Sequence, residues 1–278
     1  MYVPGHQTHL IERAYESQAD AVIMDLEDAV PITEKPRARE TASRITAALP
    51  PKPTFVRVNS MASGRCEADV RAVAGPGLSG VRLAKVGGPD DVKHVALLLA
   101  EAGCTASIHL LIETAYALEI AFALATSSPA VGMLSLGESD LCADLRITAE
   151  GPTMDACRSR VVIASRAAGL PSPCQSVFLD IYDTDALLRT SRSAKNLGFM
   201  SRMALHPMQI PAIHEVFTPT PEEIADAQAV LRAAEIAEGE NRSVVLNERG
   251  SVIAPPVLAS ARNVLRLATA LNLVEASA

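Results

Sequence analysis

Ala21-Val22-Ile23-Met24-Asp25-Leu26-Glu27-Asp28 is a short aliphatic run closed by three acids, and a stretch of helical period, Lys35–Ala48, follows it. A strand that stops at polar residues and hands over to a helix is the unit of an alternating βα chain. Working outward, aliphatic runs recur at Tyr2-Val3, Ala21–Met24, Thr54–Val58, Gly80–Ala84, Ser107–Ile112, Val131–Leu136, Ser176–Leu179 and Met203–Leu205. Helix patterns lie between them at Gln7–Gln18, Lys35–Ala48, Glu67–Val73, Pro89–Ala102, Ala115–Thr126, Thr153–Ala168 and Asp183–Leu197. Eight runs joined by helical crossovers predict parallel pairing and an α/β fold, a (β/α)8 TIM barrel.

Beyond the last run comes a tail, Pro211–Ala278, predicted to be a C-terminal helical extension. Thr220-Pro221-Glu222-Glu223 opens one helix, with Thr220 as cap and the acids on the positive end of the helix dipole. A polar segment near Gly239–Gly250 reads as a hinge or lid, and a last helix is expected near Val257–Leu273. The expected organisation is a barrel over residues 1–210 and an extension or lid over 211–278, both part of one domain unit. The extension carries Val257, Leu258, Val264, Leu265, Leu267, Leu271 and Leu273 mainly at helical spacing, so it is expected to pack on the barrel or on a neighbouring subunit.

Composition narrows the function. The 278 residues are 49% apolar and 21% charged, within the globular range. Four Tyr, five Phe and no Trp leave few platforms for stacking bases, and a net charge of −7 opposes a phosphate backbone, so no nucleic-acid partner is expected. Five cysteines with no CxxC pair disfavour a disulfide framework and a structural zinc site. The apolar stretch around Ala115–Ala125 is too short for a bilayer and contains Glu119, and Met1-Tyr2-Val3-Pro4-Gly5 lacks the regions of a signal peptide. A cytoplasmic enzyme of small metabolites, without a membrane partner, is the expectation.

In such a barrel the active site forms at the carboxyl ends of the strands, so the residues that close each run carry the reading. They are Asp25, Glu27 and Asp28, then Arg57 and Asn59, Lys85, Glu113, the segment Gly137-Glu138-Ser139-Asp140, and His206-Pro207. Glu113 and Asp140 come from adjacent strands, and their like charges call for a counter-charge. Mg2+ suits this pair, because it takes one or two carboxylates and keeps several waters. Arg57 on the same rim is placed to grip a carboxylate or to neutralise a developing enolate.

Taken in order, Val3-Pro4-Gly5, Asp25-Leu26-Glu27-Asp28-Ala29-Val30 with Lys35 and Arg39, Arg57-Val58-Asn59, Leu83-Ala84-Lys85, Ile112-Glu113-Thr114-Ala115, Gly137-Glu138-Ser139-Asp140-Leu141, Gly198-Phe199, Leu205-His206-Pro207-Met208-Gln209 and Phe217-Thr218-Pro219-Thr220 span the chain. This series resembles the citrate lyase β-subunit-like proteins of the HpcH/HpaI aldolase family. The resemblance implies a lyase that holds Mg2+ through Glu113 and Asp140, with a 2-oxo acid such as oxaloacetate, pyruvate or glyoxylate on the metal. It implies substrate contact by Arg57, Lys85, Gly137, Glu138 and His206 and catalytic roles for Arg57, Glu27 and Asp28. The reaction implied cleaves a citryl-, malyl- or citramalyl-like CoA thioester into a 2-oxo acid and an acyl thioester. A homotrimer or hexamer with a mobile Gly239–Ser251 lid is implied as well.

Two positions depart from that pattern. Relatives that use CoA thioesters carry an aspartate in a Met-x-Asp-x-Pro segment of the extension, where this chain has Ala254. The glutamate expected after Lys85 is replaced by Val86-Gly87-Gly88. The alternative is therefore a metal- and 2-oxo-acid-binding homologue with altered activity: a thioesterase, a free-acid aldolase, or a protein without lyase activity. Glu27 and Asp28 read equally as a rim salt-bridge network with Lys35 and Arg39, and His206 as the shaper of a turn. Asp180 and Asp183 read as helix caps.

Overall fold

The computed structural model describes residues 1–239 and 252–275. Eight parallel strands follow one another in sequence order around a single sheet: β1 (Tyr2–Pro4), β2 (Val22–Asp25), β3 (Thr54–Val58), β4 (Gly80–Leu83), β5 (Ser107–Ile112), β6 (Val131–Leu136), β7 (Cys174–Gln175) and β8 (Ser201–Arg202). The amide of Tyr2 in β1 donates to the carbonyl of Ala204, just past β8, at 2.8 Å, which brings the two ends of the sheet together. Neighbour-to-neighbour order with helical crossovers is the TIM-barrel arrangement that the alternating runs predict.

The helices between the strands are α1 (Thr8–Glu16), α2 (Lys35–Thr46), α3 (Cys66–Val73), α4 (Pro89–Glu101), α5 (Ala115–Glu119), α6 (Ala121–Ala125), α7 (Glu138–Leu145), α8 (Pro152–Ala167) and α9 (Thr184–Leu197). Local chemistry sets their ends. Pro89 opens α4 with Asp90 and Asp91 in its first turn, where acids complement the helix dipole. Asp183 caps α9 by accepting from the Ala186 amide at 2.9 Å, and Asp180 accepts from the Tyr182 amide in the preceding turn. Val22, Met24, Val56, Val81 and Leu83 are fully buried, and their alternates Ile23, Phe55 and Arg82 line internal cavities, as strand alternation requires.

Four sequence expectations need correction. The seventh strand is Cys174–Gln175, not Ser176–Leu179, and the eighth is Ser201–Arg202, not Met203–Leu205. Both true strands are only two polar residues long: Cys174 and Ser201 meet on the barrel side, while Arg202 reaches Thr190 and Ser191 of α9. The aliphatic residues after them serve the loops, where Val177, Leu179, Met203 and Leu205 line a cavity. The helix expected over Ala115–Thr126 breaks at Ile120, which leaves helical geometry between α5 and α6. Helix α7 was absent from the sequence reading: its eight residues hide in what looks like a polar strand end.

The chain divides into two compact units, Met1–Val216 and Phe217–Ala278. Helix α10 (Ile210–Phe217) precedes the second unit, in which α11 (Pro221–Gly239) and α12 (Pro255–Ala270) pack on each other. Thr220 and Glu223 form a reciprocal cap at the start of α11: the Glu223 amide donates to Thr220 Oγ1 at 3.1 Å and the Thr220 amide to Glu223 Oε2 at 2.8 Å. Apart from Gly239, which ends α11, the expected hinge or lid lies outside the described residues. Among the described residues no helix is long and apolar enough to cross a membrane.

Candidate active site

At the carboxyl ends of the strands the first unit encloses a cavity of about 490 Å3. Asp28, Arg57, Glu113, Gly137 and Asp140 are in its wall, and Tyr2 stands beside them. Arg82, Cys174 and Met203 also border a second cavity of about 250 Å3 at the opposite end of the barrel, so they separate the two.

Asp25 ends β2, paired in register with Arg57 of β3. The Arg57 guanidinium grips Asp25 with both prongs, Nε to Oδ1 at 2.7 Å and Nη2 to Oδ2 at 2.6 Å. The same carboxylate accepts from the amides of Glu27 and Ala29 at 2.9 and 3.0 Å, so it anchors the loop after β2 as well as the arginine. Burial works against the arginine's charge, but the Asp25 carboxylate outweighs it and holds the guanidinium firmly protonated. The grip that the sequence reading reserved for a substrate is thus occupied by Asp25. What remains for the cavity is Nη1, which also lies 3.1 Å from Glu27.

Glu27 and Asp28 do form a rim network, with other partners than Lys35 and Arg39. Lys85 Nζ contacts Glu27 Oε1 at 2.5 Å and Asp28 Oδ1 at 3.1 Å. Burial pushes the Glu27 carboxyl up, Arg57 and Lys85 pull it back, and the exposed partner Asp28 is held low by Glu27 and Lys85 against a desolvation cost. Lys35 instead donates to the Leu26 and Glu27 carbonyls and to Asn59 Oδ1, each at 2.8 Å, while Arg39 pairs with Asp69 at 2.7 Å. These two cations hold the loop backbone from behind.

Lys85 has φ 48°, a left-handed conformation uncommon outside glycine. Its amide donates to Glu113 Oε2 at 2.6 Å, fixing a carboxylate that is only 3% exposed. Burial raises the Glu113 carboxyl to about 7 against the Lys85 amide, and the charges of Asp140 and Glu27 push the same way. Gly137 supplies the space: a Cβ there would stand 2.3 Å from Glu113 Cγ. Asp140, in the first turn of α7, is half exposed, and its nearest cation is Lys85 Nζ at 3.9 Å. One buried and one half-exposed carboxylate with surplus negative charge have the chemistry Mg2+ needs, and Glu113 and Asp140 are the residues that could hold it, with its other positions left to water and substrate.

Two expected substrate contacts point elsewhere. Glu138 is gripped by Arg158, Nε to Oε1 at 3.1 Å and Nη2 to Oε2 at 2.5 Å, which ties α7 to α8. His206 Nδ1 accepts from the Met208 amide at 3.2 Å, and Gln209 accepts from the His206 amide, so His206 caps the turn after β8. The sequence reading passed over Arg82, Arg158 and the Asp25 anchor. The signal for Arg82 was present, as a charge in the middle of the apolar run Gly80–Leu83 has to face the barrel interior.

Residues 1–207 match the family model for the HpcH/HpaI aldolase/citrate lyase family. A citrate lyase subunit beta-like protein of Mycobacterium tuberculosis is 33% identical over 275 residues, covering 96% of this chain and 94% of its own. A mitochondrial citramalyl-CoA lyase of Mus musculus is 30% identical over 292 residues, covering 98% and 86%. Among solved structures, the CitE protein of Mycobacterium tuberculosis in complex with magnesium, acetoacetate and coenzyme A superposes with a TM-score of 0.78 at 29% identity over 96% of both chains. The ordered rim residues, the barrel and these matches agree, and the chain belongs to the HpcH/HpaI aldolase/citrate lyase family.

Proposed function

We propose that this chain is a Mg2+-dependent carbon–carbon lyase that cleaves a short 3-hydroxyacyl-CoA-type thioester, citryl-, malyl- or citramalyl-like, into a 2-oxo acid and an acyl thioester. The observation that carries this reading is the Glu113 and Asp140 pair at the wall of a deep cavity that Arg57 also lines. The magnesium and coenzyme A in the solved relative's complex support it. Bound Mg2+ supplies Lewis-acid polarisation of the substrate oxygens. The proton leaves the 3-hydroxyl as its C–O bond becomes a carbonyl. The bond between C2 and C3 breaks, and its electron pair passes to the thioester as an enolate, which takes up a proton at carbon. Arg57, preset by Asp25, offsets that developing charge without rearrangement. In this reading Asp28 at the cavity wall and its Lys85-paired neighbour Glu27 move the protons. A homotrimer or hexamer accompanies the proposal and is checked by light scattering.

Ala254 favours a second reading, a homologue that binds the metal and a 2-oxo acid with altered activity. A coupled assay over citryl-, malyl- and citramalyl-CoA, with and without Mg2+, separates the two. Metal-dependent turnover of one member supports the lyase; 2-oxo-acid binding without turnover of any member supports the second reading. Glu113→Gln and Asp140→Asn should each abolish Mg2+ binding in a calorimetric titration while leaving the circular dichroism unchanged, since each removes one of only two anionic ligands. Retained affinity in both variants would move the metal elsewhere.

A further inference from the structure

Arg82 sits in the middle of β4, 2% exposed, in register between Arg57 of β3 and His109 of β5. Both arginines flank the ring of Tyr2, with guanidinium carbons 5.3 Å (Arg57) and 5.7 Å (Arg82) from its centroid. Their electrostatic situations differ. Arg57 has the bidentate Asp25, whereas Arg82 forms no ion pair among the described residues. Its contacts are Nε to the Tyr2 hydroxyl at 3.0 Å and Nη1 to His109 Nδ1 at 3.5 Å. His109 adds no charge, because burial and the Arg82 guanidinium lower it to about 3 and keep the ring neutral.

A buried cation without a counter-ion is costly, and the cost falls when an anion from outside completes the pair. Arg82 borders the deep end of the active-site cavity. One buried polar atom among the same lining residues lacks a hydrogen-bond partner on the barrel-facing side: Ser135 Oγ on β6, in register with Cys174. The hydroxyl can donate to an anion in this space. Guanidinium and hydroxyl together make a carboxylate-binding pair, distinct from the rim where Glu113 and Asp140 stand.

We propose that Arg82, with Ser135, is a specificity determinant that receives a second carboxylate of the substrate, so that the 2-oxo acid released is a diacid. The inference rests on the lyase reading above and deepens it. The thioester half carries a bulky carrier that must reach solvent, which leaves the deep end of the cavity to the 2-oxo-acid half. A monoacid would leave Arg82 facing the cavity without a counter-charge.

The test is calorimetric titration of the full chain, in saturating Mg2+, with the diacids oxaloacetate and 2-oxoglutarate and the monoacid pyruvate, for the wild type, Arg82→Met and Arg82→Lys. The wild type should bind at least one diacid tenfold or more tightly than pyruvate. Arg82→Met should lose that preference with pyruvate affinity unchanged, and Arg82→Lys, which keeps the charge, should recover part of it. If Arg82→Met fails to fold in a thermal melt, the Arg82→Lys and Ser135→Ala variants carry the comparison, each with a smaller drop confined to the diacids. Equal losses for diacid and monoacid, or no loss, overturn the Arg82 assignment while the lyase reading stands. Wild-type protein that binds pyruvate as tightly as both diacids overturns it too. Failure to bind any 2-oxo acid sinks both readings.

Discussion

Arg57 and Gly137 show how single residues set the rim. The planar fork of Arg57 is matched to Asp25 by two bonds of 2.7 and 2.6 Å, and an ammonium cannot reproduce both. Arg57→Lys is therefore expected to lower kcat/KM by ~10²-fold, in line with the loss of one preset electrostatic donor. Steady-state kinetics on whichever thioester the chain turns over decides this, and near-native values would remove Arg57 from charge stabilisation. Gly137 acts through what it lacks. Gly137→Ala would put a methyl 2.6 Å from Glu113 Oε1, so the carboxylate or the backbone has to shift. Mg2+ affinity should fall, with a stability loss of about 1–3 kcal/mol typical of overpacking. Metal titration and urea unfolding of the same preparation report the two effects separately.

At the scale of elements, legibility followed the side of the strand that carries the signal. β2 through β6 were readable because their helix-facing residues, such as Val56, Val81 and Leu110, are aliphatic and fully buried. β7 and β8 were not, since each is two residues long and sets a small barrel-facing residue, Cys174 or Ser201, beside a polar one, Gln175 or Arg202, on the opposite face. The Arg202 guanidinium is satisfied on the helix side by the Ser176 carbonyl and by Thr190 Oγ1 and Ser191 Oγ of α9. The same limit applied to the rim. Spacing shows which residues close a strand, but the partner that captures each depends on neighbours distant in sequence, as Asp25 does for Arg57 and Arg158 for Glu138. Helix α12 carries its own experiment. Ala254 is its extended N-cap residue, with φ −88° and ψ 162°, and gives the helix no side-chain cap. Ala254→Asp should stabilise α12 by ~1 kcal/mol whatever the chemistry, because aspartate is a good cap. If the extension delivers a proton, the same variant should also raise thioester cleavage by ~10²–10⁴-fold. A stabilised protein with unchanged turnover would separate the cap from the acid and leave the proton path to the barrel.

For the molecule as a whole, the buried histidine ties stability to pH. Burial and Arg82 lower His109 to about 3, well under the ~6.5 of an exposed imidazole. Between these values the unfolded chain takes up a proton that the folded chain refuses, so the stability associated with neutral His109 is complete above pH ~6.5 and is lost as pH falls toward 3. At pH 4.5 the loss is roughly 2 kcal/mol relative to neutrality. His109→Gln should flatten this part of the profile. Urea midpoints of both proteins at pH 7 and 4.5 give the difference, since the carboxylates they share cancel. Parallel acid sensitivity in wild type and variant would mean that other groups govern the acid limb.

Arg82, Cys174 and Met203 border both internal cavities, so the barrel holds two chambers with these residues as the septum between them. Shortening Met203 would join the chambers into a duct through the barrel axis, and xenon or small alcohols could then enter the catalytic chamber from the amino-terminal face. The septum makes the reaction space one-ended, a vestibule in which water and products leave by the mouth through which substrate came.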